Sequence, residues 1–418
     1  MQSRTRGRAL IFGAILITCS TQVARADAPK ITTANNTLAQ FVHNVVESNP
    51  RVQAAYAALE TSGALRDAAS RPLYNPEISF DAENGETKTR ALGISQTLDW
   101  GGKRRSRTAV AESNRLVAEA EYLETKWSIT VELLNGLARH QLGVDGDLLA
   151  ETRTQLMDDF AALAERRFTA GDLNQVELDL ARLSATDARI QKATAGTRLA
   201  EARQAVRNLA GRSDAAQWPT MPDSTPPLPT KVDPQSLVLA LPEVVAARRQ
   251  VESAKALVEL RRRERRPDPT LSFRGGEEDD QTLIGLNMSI PLHVRNSFNY
   301  EVTAALAEQS RAQQLADDVL QRAYARLVSA SERYELSSGA WGQWASMGQT
   351  SLARQTEQLQ RLWRAGEIST TDYLVQLTAT LDVQANALDL RESLWRAWFE
   401  WLWASGQVDA WLGQGDRS

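Results

Sequence analysis

The chain has 418 residues, a formal charge of −4, one cysteine and three histidines. That length exceeds one ordinary core, so at least two structural regions are expected. The acidic balance argues against nucleic acid as a partner, and a single thiol leaves no intrachain disulfide and no cysteine-rich metal site.

The amino terminus reads as a leader. Arg4, Arg6 and Arg8 precede an apolar stretch over 9–18, and Ala24-Arg25-Ala26 offers small residues for cleavage after Ala26. Such a run is too short to span a bilayer and is the pattern of a secretory signal peptide, residues 1–26. An alternative takes Leu16-Ile17-Thr18-Cys19 as a lipidation signal, with Cys19 acylated. No later apolar run suits a membrane-spanning helix, so a membrane crossing would need strands paired into a closed barrel.

Prolines divide the rest of the chain. None occurs between Glu77 and Trp218 or after Pro291, and these tracts are rich in good helix formers. A Pro-rich linker at 219–234 separates a first half, 27–218, from a second, 235–418. The halves match in order: Asn49-Pro50 with Leu241-Pro242, Asn75-Pro76 with Asp268-Pro269, Leu92-Gly93 with Ile284-Gly285, and Ala170-Gly171 with Ala365-Gly366. The order and near-constant offset indicate an internal two-fold repeat.

Each half is expected to run helix, strand, strand, long helix, tip turn, return helix. Strands are predicted near 76–84 and 91–100, then near 269–276 and 282–292. Tip turns fall near 169–174 and 364–369. The tract from Gly102 to Thr169 would make a helix of roughly 100 Å at about 1.5 Å per residue, with Gly143 and Gly146 as candidate bends. The tract from Asn296 to Arg364 gives a second one. Helices of this length need partners along their sides.

Within the strands, Ile78, Phe80 and Ala82 alternate with Glu77, Ser79, Asp81 and Glu83, and Ile284, Leu286, Met288 and Ile290 alternate with Gly285, Asn287 and Ser289. Alternation alone describes any hairpin with one greasy and one wet face. A leader and a second copy of the hairpin, with no globular domain to cover it, favour transmembrane strands. Four strands cannot close a barrel, so several protomers would be needed. Glu77, Asp81, Glu83 and Asp99 would then face a lumen, against Arg274, with an acidic turn at 277–280. Basic residues gather where strands meet helices: Arg71, Lys103, Arg104, Arg105, Arg261, Arg262, Arg263, Arg265, Arg266 and Arg295. They suit phospholipid headgroups, and equally the negative ends of helices.

At the far end, Asn174 with Glu177 and Ser369 with Asp372 fit capping boxes, after glycines suited to a left-handed helix end. His43, His140 and His293 are scattered, and no nucleophile–base pair or phosphate loop appears, so neither an enzyme, a cofactor nor a metal site is expected. Trp395, Trp398, Trp401 and Trp403 suit packing of the last helix, or else an interfacial anchor.

These residues resemble the TolC-type outer-membrane efflux family, over essentially the whole chain after the leader. The carriers are Asn75-Pro76-Glu77, Gly101-Gly102-Lys103-Arg104, Arg266-Pro267-Asp268 and Ile290-Pro291-Leu292, which look most like the cobalt–zinc–cadmium resistance branch. The resemblance implies a mainly α fold with a small β part: a trimeric α-helical barrel continued by a 12-stranded transmembrane β-barrel, four strands per protomer. It implies an outer-membrane location reaching into the periplasm, outer-membrane lipids as surroundings, and partnership with a periplasmic adaptor and an inner-membrane proton-driven pump. It places adaptor contacts at Gly171, Gly366 and Arg364, and a periplasmic constriction at Asp372 with Glu177 as its repeat counterpart. A second family acid is replaced here by Val375. The implied function is passive conduction, with heavy-metal cations as cargo. Drug efflux or type I protein secretion through the same duct is the alternative, and a soluble periplasmic helical protein is a further one.

Overall fold

A computed structural model describes residues 33–211, 214–228 and 233–413. The leader, Cys19 and linker residues 229–232 lie outside the described residues. Helices α1 (Asn36–Ser48) and α2 (Pro50–Ser70) lead into strands β1 (Glu77–Asn84) and β2 (Lys88–Thr97). Then come α3 (Lys103–Ala170) and α4 (Gln175–Ala210), a short 3-10 turn, α5 (Pro234–Ala240) and α6 (Pro242–Glu264). Strands β3 (Thr270–Glu278) and β4 (Gln281–Ser289) precede α7 (Asn299–Gln343), α8 (Gln349–Arg364), α9 (Thr370–Ser405) and α10 (Val408–Trp411).

The fold is therefore mainly helical with one small antiparallel sheet, ordered β1-β2-β3-β4. The helices keep the order of the strands they adjoin. Near the sheet α2, α3, α6 and α7 lie side by side, and further away α4, α3, α9 and the α7–α8 pair do so. The result is a layer about four elements wide, onto which the short helices α1, α5 and α10 pack. Among the described residues no helix is long and apolar enough to cross a membrane.

Helix α3 runs unbroken through Gly143 and Gly146 for 68 residues, about 100 Å at 1.5 Å per residue. Helix α4 covers Gly143, where an added Cβ would stand 3.4 Å from Leu199, while Gly146 faces open space and the helix continues through it. The second long helix differs from expectation. It begins at Asn299, and a π-helical segment over Trp344–Gly348 separates α7 from α8. There the Trp344 ring folds back over Gly348, which only a residue without a side chain permits.

The largest core gathers α1, the middle of α3, the start of α6, α7 and the end of α9. Trp395, Trp398 and Trp401 are buried in it, with Trp398 stacked on Trp401 at 5.1 Å, so the tryptophan-rich end packs the fold and is no interfacial anchor. Trp403 lies beneath the Arg326 guanidinium at 4.5 Å. The Ala34 N–H donates to the Trp411 carbonyl at 2.7 Å, joining the first and last described segments. A second core, of Met157, Phe160, Leu178, Trp363, Tyr373 and Leu377, holds the far tips together.

Candidate functional site

Across the sheet, paired residues place their side chains on the same face, so the register sorts the two faces directly. One face carries the rows Ile78–Ile94–Phe273–Leu286 and Phe80–Leu92–Gly275–Ile284, with Leu271 and Met288 beside them. The other carries Glu77–Ser95–Ser272–Asn287, Ser79–Gly93–Arg274–Gly285, Asp81–Ala91–Gly276–Leu283 and Glu83–Thr89–Glu278–Gln281. Among the described residues nothing covers the apolar rows: Ile78 is 77% exposed, Leu286 74% and Phe80 70%. Toward the hairpin turns the apolar band gives way to Lys88, Arg90 and Glu277 on the same face.

Both hairpins turn tightly at that end. Asp279 and Asp280 take positive φ, the two-residue turn that suits strand twist, and the Asp279 carboxylate accepts the Lys88 N–H at 2.8 Å. The sheet places Glu77, Asp81 and Glu83 together on its polar face, as their alternation predicts. Asp99 is different. Strand β2 ends at Thr97, and the Asp99 carboxylate accepts the N–H groups of Lys103 and Arg104 at 2.8 and 2.7 Å. It caps the start of α3 and is not part of the sheet face, because those first-turn donors lack helical partners. Likewise β4 stops at Ser289, so Ile290 and Leu292 lie past its end.

The basic cluster at the strand–helix junction is also less uniform than its sequence suggests. Lys103 is buried, its ammonium 2.9 Å from the Asp268 carboxylate, which also accepts the Tyr74 hydroxyl at 2.8 Å. Burial and the Asp268 charge push the Tyr74 phenol up to about 12. This pin ties the start of α3 to the entry of β3, and Arg263 reinforces it by donating to the Gly101 carbonyl at 3.2 Å. Arg261 and Arg263 pair with Glu264 and Glu259. Arg71, Arg104, Arg105, Arg262, Arg265, Arg266 and Arg295 stay exposed.

At the far end, Gly171 (φ 86°) and Gly366 (φ 76°) terminate their helices in the left-handed region. In each turn the glycine N–H reaches back three residues and the next N–H five, so the two turns are built alike. Asn174 and Glu177 form a reciprocal capping box. The other turn is only half of one: Ser369 accepts the Asp372 N–H, and its hydroxyl donates to the Asp372 carboxylate at 2.7 Å. Trp363 stacks on Tyr373 at 4.4 Å and touches Phe160 at 5.2 Å, which brings both tips to one end of the molecule. Sequence reasoning missed this aromatic stack, although Trp363 lies within one turn of Gly366 and Phe160 about three turns before Gly171. The side chain of Arg364 lies outside the described residues.

No group of acids and histidines suited to a metal occurs among the described residues. His140 packs edge-on against Trp218 at 4.7 Å, and burial, then Arg203, lowers its pKa. His293 contacts the Arg265 carbonyl and the Phe298 ring.

Residues 41–212 match the family model of outer membrane efflux proteins. The chain is 27% identical over 283 residues to the cobalt-zinc-cadmium resistance protein CzcC of Cupriavidus metallidurans, covering 65% of this chain and 67% of the relative. Its fold matches CusC with a TM-score of 0.74 at 16% identity, over 91% of this chain and 95% of the other. It also matches the open-state outer membrane channel MtrE of Neisseria gonorrhoeae with a TM-score of 0.75 at 14% identity, over 93% and 92%.

Proposed function

We propose that the chain is one protomer of a trimeric outer-membrane duct. Four strands from each of three copies form a twelve-stranded barrel, and the helices continue it as a tunnel into the periplasm. The carrying observation is the bare apolar face of the sheet, backed by a polar face and bounded by two unpaired edges. In water that face is costly, since burying each large apolar side chain is worth about 1.5–3 kcal/mol. Lipid covers it, and sister chains satisfy the edge strands β1 and β4. The polar face then lines a wet lumen bearing Glu77, Asp81 and Glu83.

The duct conducts passively, receiving cargo from an inner-membrane pump through a periplasmic adaptor. Gly171 and Gly366, with Arg364, mark the turns that meet the adaptor, and Asp372 and Glu177 stand beside them at the inner entrance. The likeness to a cobalt-zinc-cadmium resistance protein supports heavy-metal cations as cargo. The repeat supports a common origin for 27–218 and 235–418, each supplying one hairpin and one tip.

Two measurements test this. Detergent-extracted outer membranes should contain a heat-sensitive oligomer that conducts ions in planar bilayers. A processed chain that is a detergent-free, water-soluble monomer refutes the duct. Deleting the gene should then raise sensitivity to zinc, cobalt or cadmium. Unchanged metal tolerance with a gain in drug sensitivity reassigns the cargo.

A further inference from the structure

Arg274 is the one lysine or arginine on the polar face of the sheet, and it sits between two glycines, Gly93 and Gly285. A Cβ added at Gly285 would stand 3.0 Å from its Nε and 3.1 Å from its Cγ, whereas at Gly93 the nearest Arg274 atom is its own Cβ, at 3.7 Å. The stem therefore leaves its strand over Gly285, across β4 and away from β2. Neighbouring strands lie only about 4.8 Å apart, less than an arginine's length, so the guanidinium points to the open edge of the sheet. Arg274 is exposed, and among the described residues no acid pairs with it.

The opposite open edge is its electrostatic complement. Strand β1 carries Glu77, Asp81 and Glu83 on the same polar face, all exposed and without an ion-pair partner among the described residues. When copies join edge to edge, β4 of one meets β1 of the next, and the polar faces align. Backbone hydrogen bonds and face polarity leave the register of that junction open by steps of two residues, because a two-residue slip preserves both. A slip that sets Arg274 opposite Ser79 loses the charge pair, whereas one toward Glu83 keeps an acid opposite it, so the pair excludes registers on one side only.

We propose that Arg274 pairs with the acidic row of β1 in a second copy of this chain, centred on Asp81, and so restricts the register of the seam between protomers to those that set an acid opposite it. The glycine at 285 is then a slot that lets the side chain cross the edge strand. This rests on the reading of the chain as a ring of copies, and it adds a contact that restricts their alignment.

The test uses the full chain in outer membranes and follows the temperature at which the oligomer dissociates on semi-native gels. Arg274→Asp should lower that temperature, Arg274→Lys should largely retain it, and the wild-type value should fall in molar salt. Asp81→Arg should also lower it, and combining it with Arg274→Asp should restore most of the loss. Reversal at Glu77 or Glu83 should restore less. An Arg274→Asp oligomer as heat-stable as the wild type overturns the proposal. So does a loss that no charge reversal at Glu77, Asp81 or Glu83 repairs. If the wild type forms no oligomer, the duct reading fails together with the seam contact, whereas an intact oligomer indifferent to charge at 274 removes the contact alone.

Discussion

Removing the Asp268 carboxylate tests the pin at the strand–helix junction. In Asp268→Ala the Lys103 ammonium, whose side chain is 11% exposed, loses its ion pair, and the Tyr74 hydroxyl loses its acceptor. Stranding a buried charge in this way costs about 3–5 kcal/mol. The pair itself is imperfect, since one Asp268 carboxylate oxygen is buried without a hydrogen bond. Replacing both partners with apolar residues, as in Lys103→Met with Asp268→Leu, should therefore cost less than either single change. The assay is loss of helical circular dichroism against denaturant for the purified protein in detergent, compared across wild type, both singles and the double. Additive losses, or an Asp268→Ala variant within about 0.5 kcal/mol of wild type, would refute the account of a desolvated pair.

Other expectations come from the same geometry. Leu286→Arg places a charge in the middle of the apolar rows and should cost about 2–4 kcal/mol in lipid, depleting the protein from outer-membrane fractions, while Ser272→Arg on the polar face should leave its amount unchanged. Gly171→Ala or Gly366→Ala forces a side chain into the left-handed region at about 1–2 kcal/mol, seen as a lower unfolding midpoint with oligomer content preserved. His140 has a lowered pKa when folded, so the unfolded chain binds more protons. Stability should be full above ~6.5 and decline as pH falls below it, and His140→Phe should flatten that decline in pH-dependent melting.

Much of this fold is legible because its signals are local. The alternation over 77–83 is read directly as β1, and the two glycines that end helices announce tips whose turns form from residues within five positions. Reading parity alone overran the strands. Leu98 and Trp100 continue the pattern of β2, yet Asp99 is drawn out to cap α3, a competing local bond that Gly101-Gly102 could have signalled. Non-local contacts were opaque. Lys103 and Asp268 stand 165 positions apart, so one looked like a member of a surface basic cluster and the other like a strand-entry residue. The interruption at 344–348 depends on how one tryptophan ring settles, which no periodicity encodes.

Where the first and last described segments lie also matters. Ala34 and Trp411 are hydrogen-bonded neighbours beside the tryptophan-rich core, remote from both the hairpin turns and the glycine tips. A fusion placed beside Ala34 or Trp411 would thus hang from the waist of the described fold, clear of the hairpin turns and the glycine tips. A short tether between residues near Ala34 and Trp411, with new ends cut into the Asp279–Asp280 turn, would permute the described fold without lengthening any path through it.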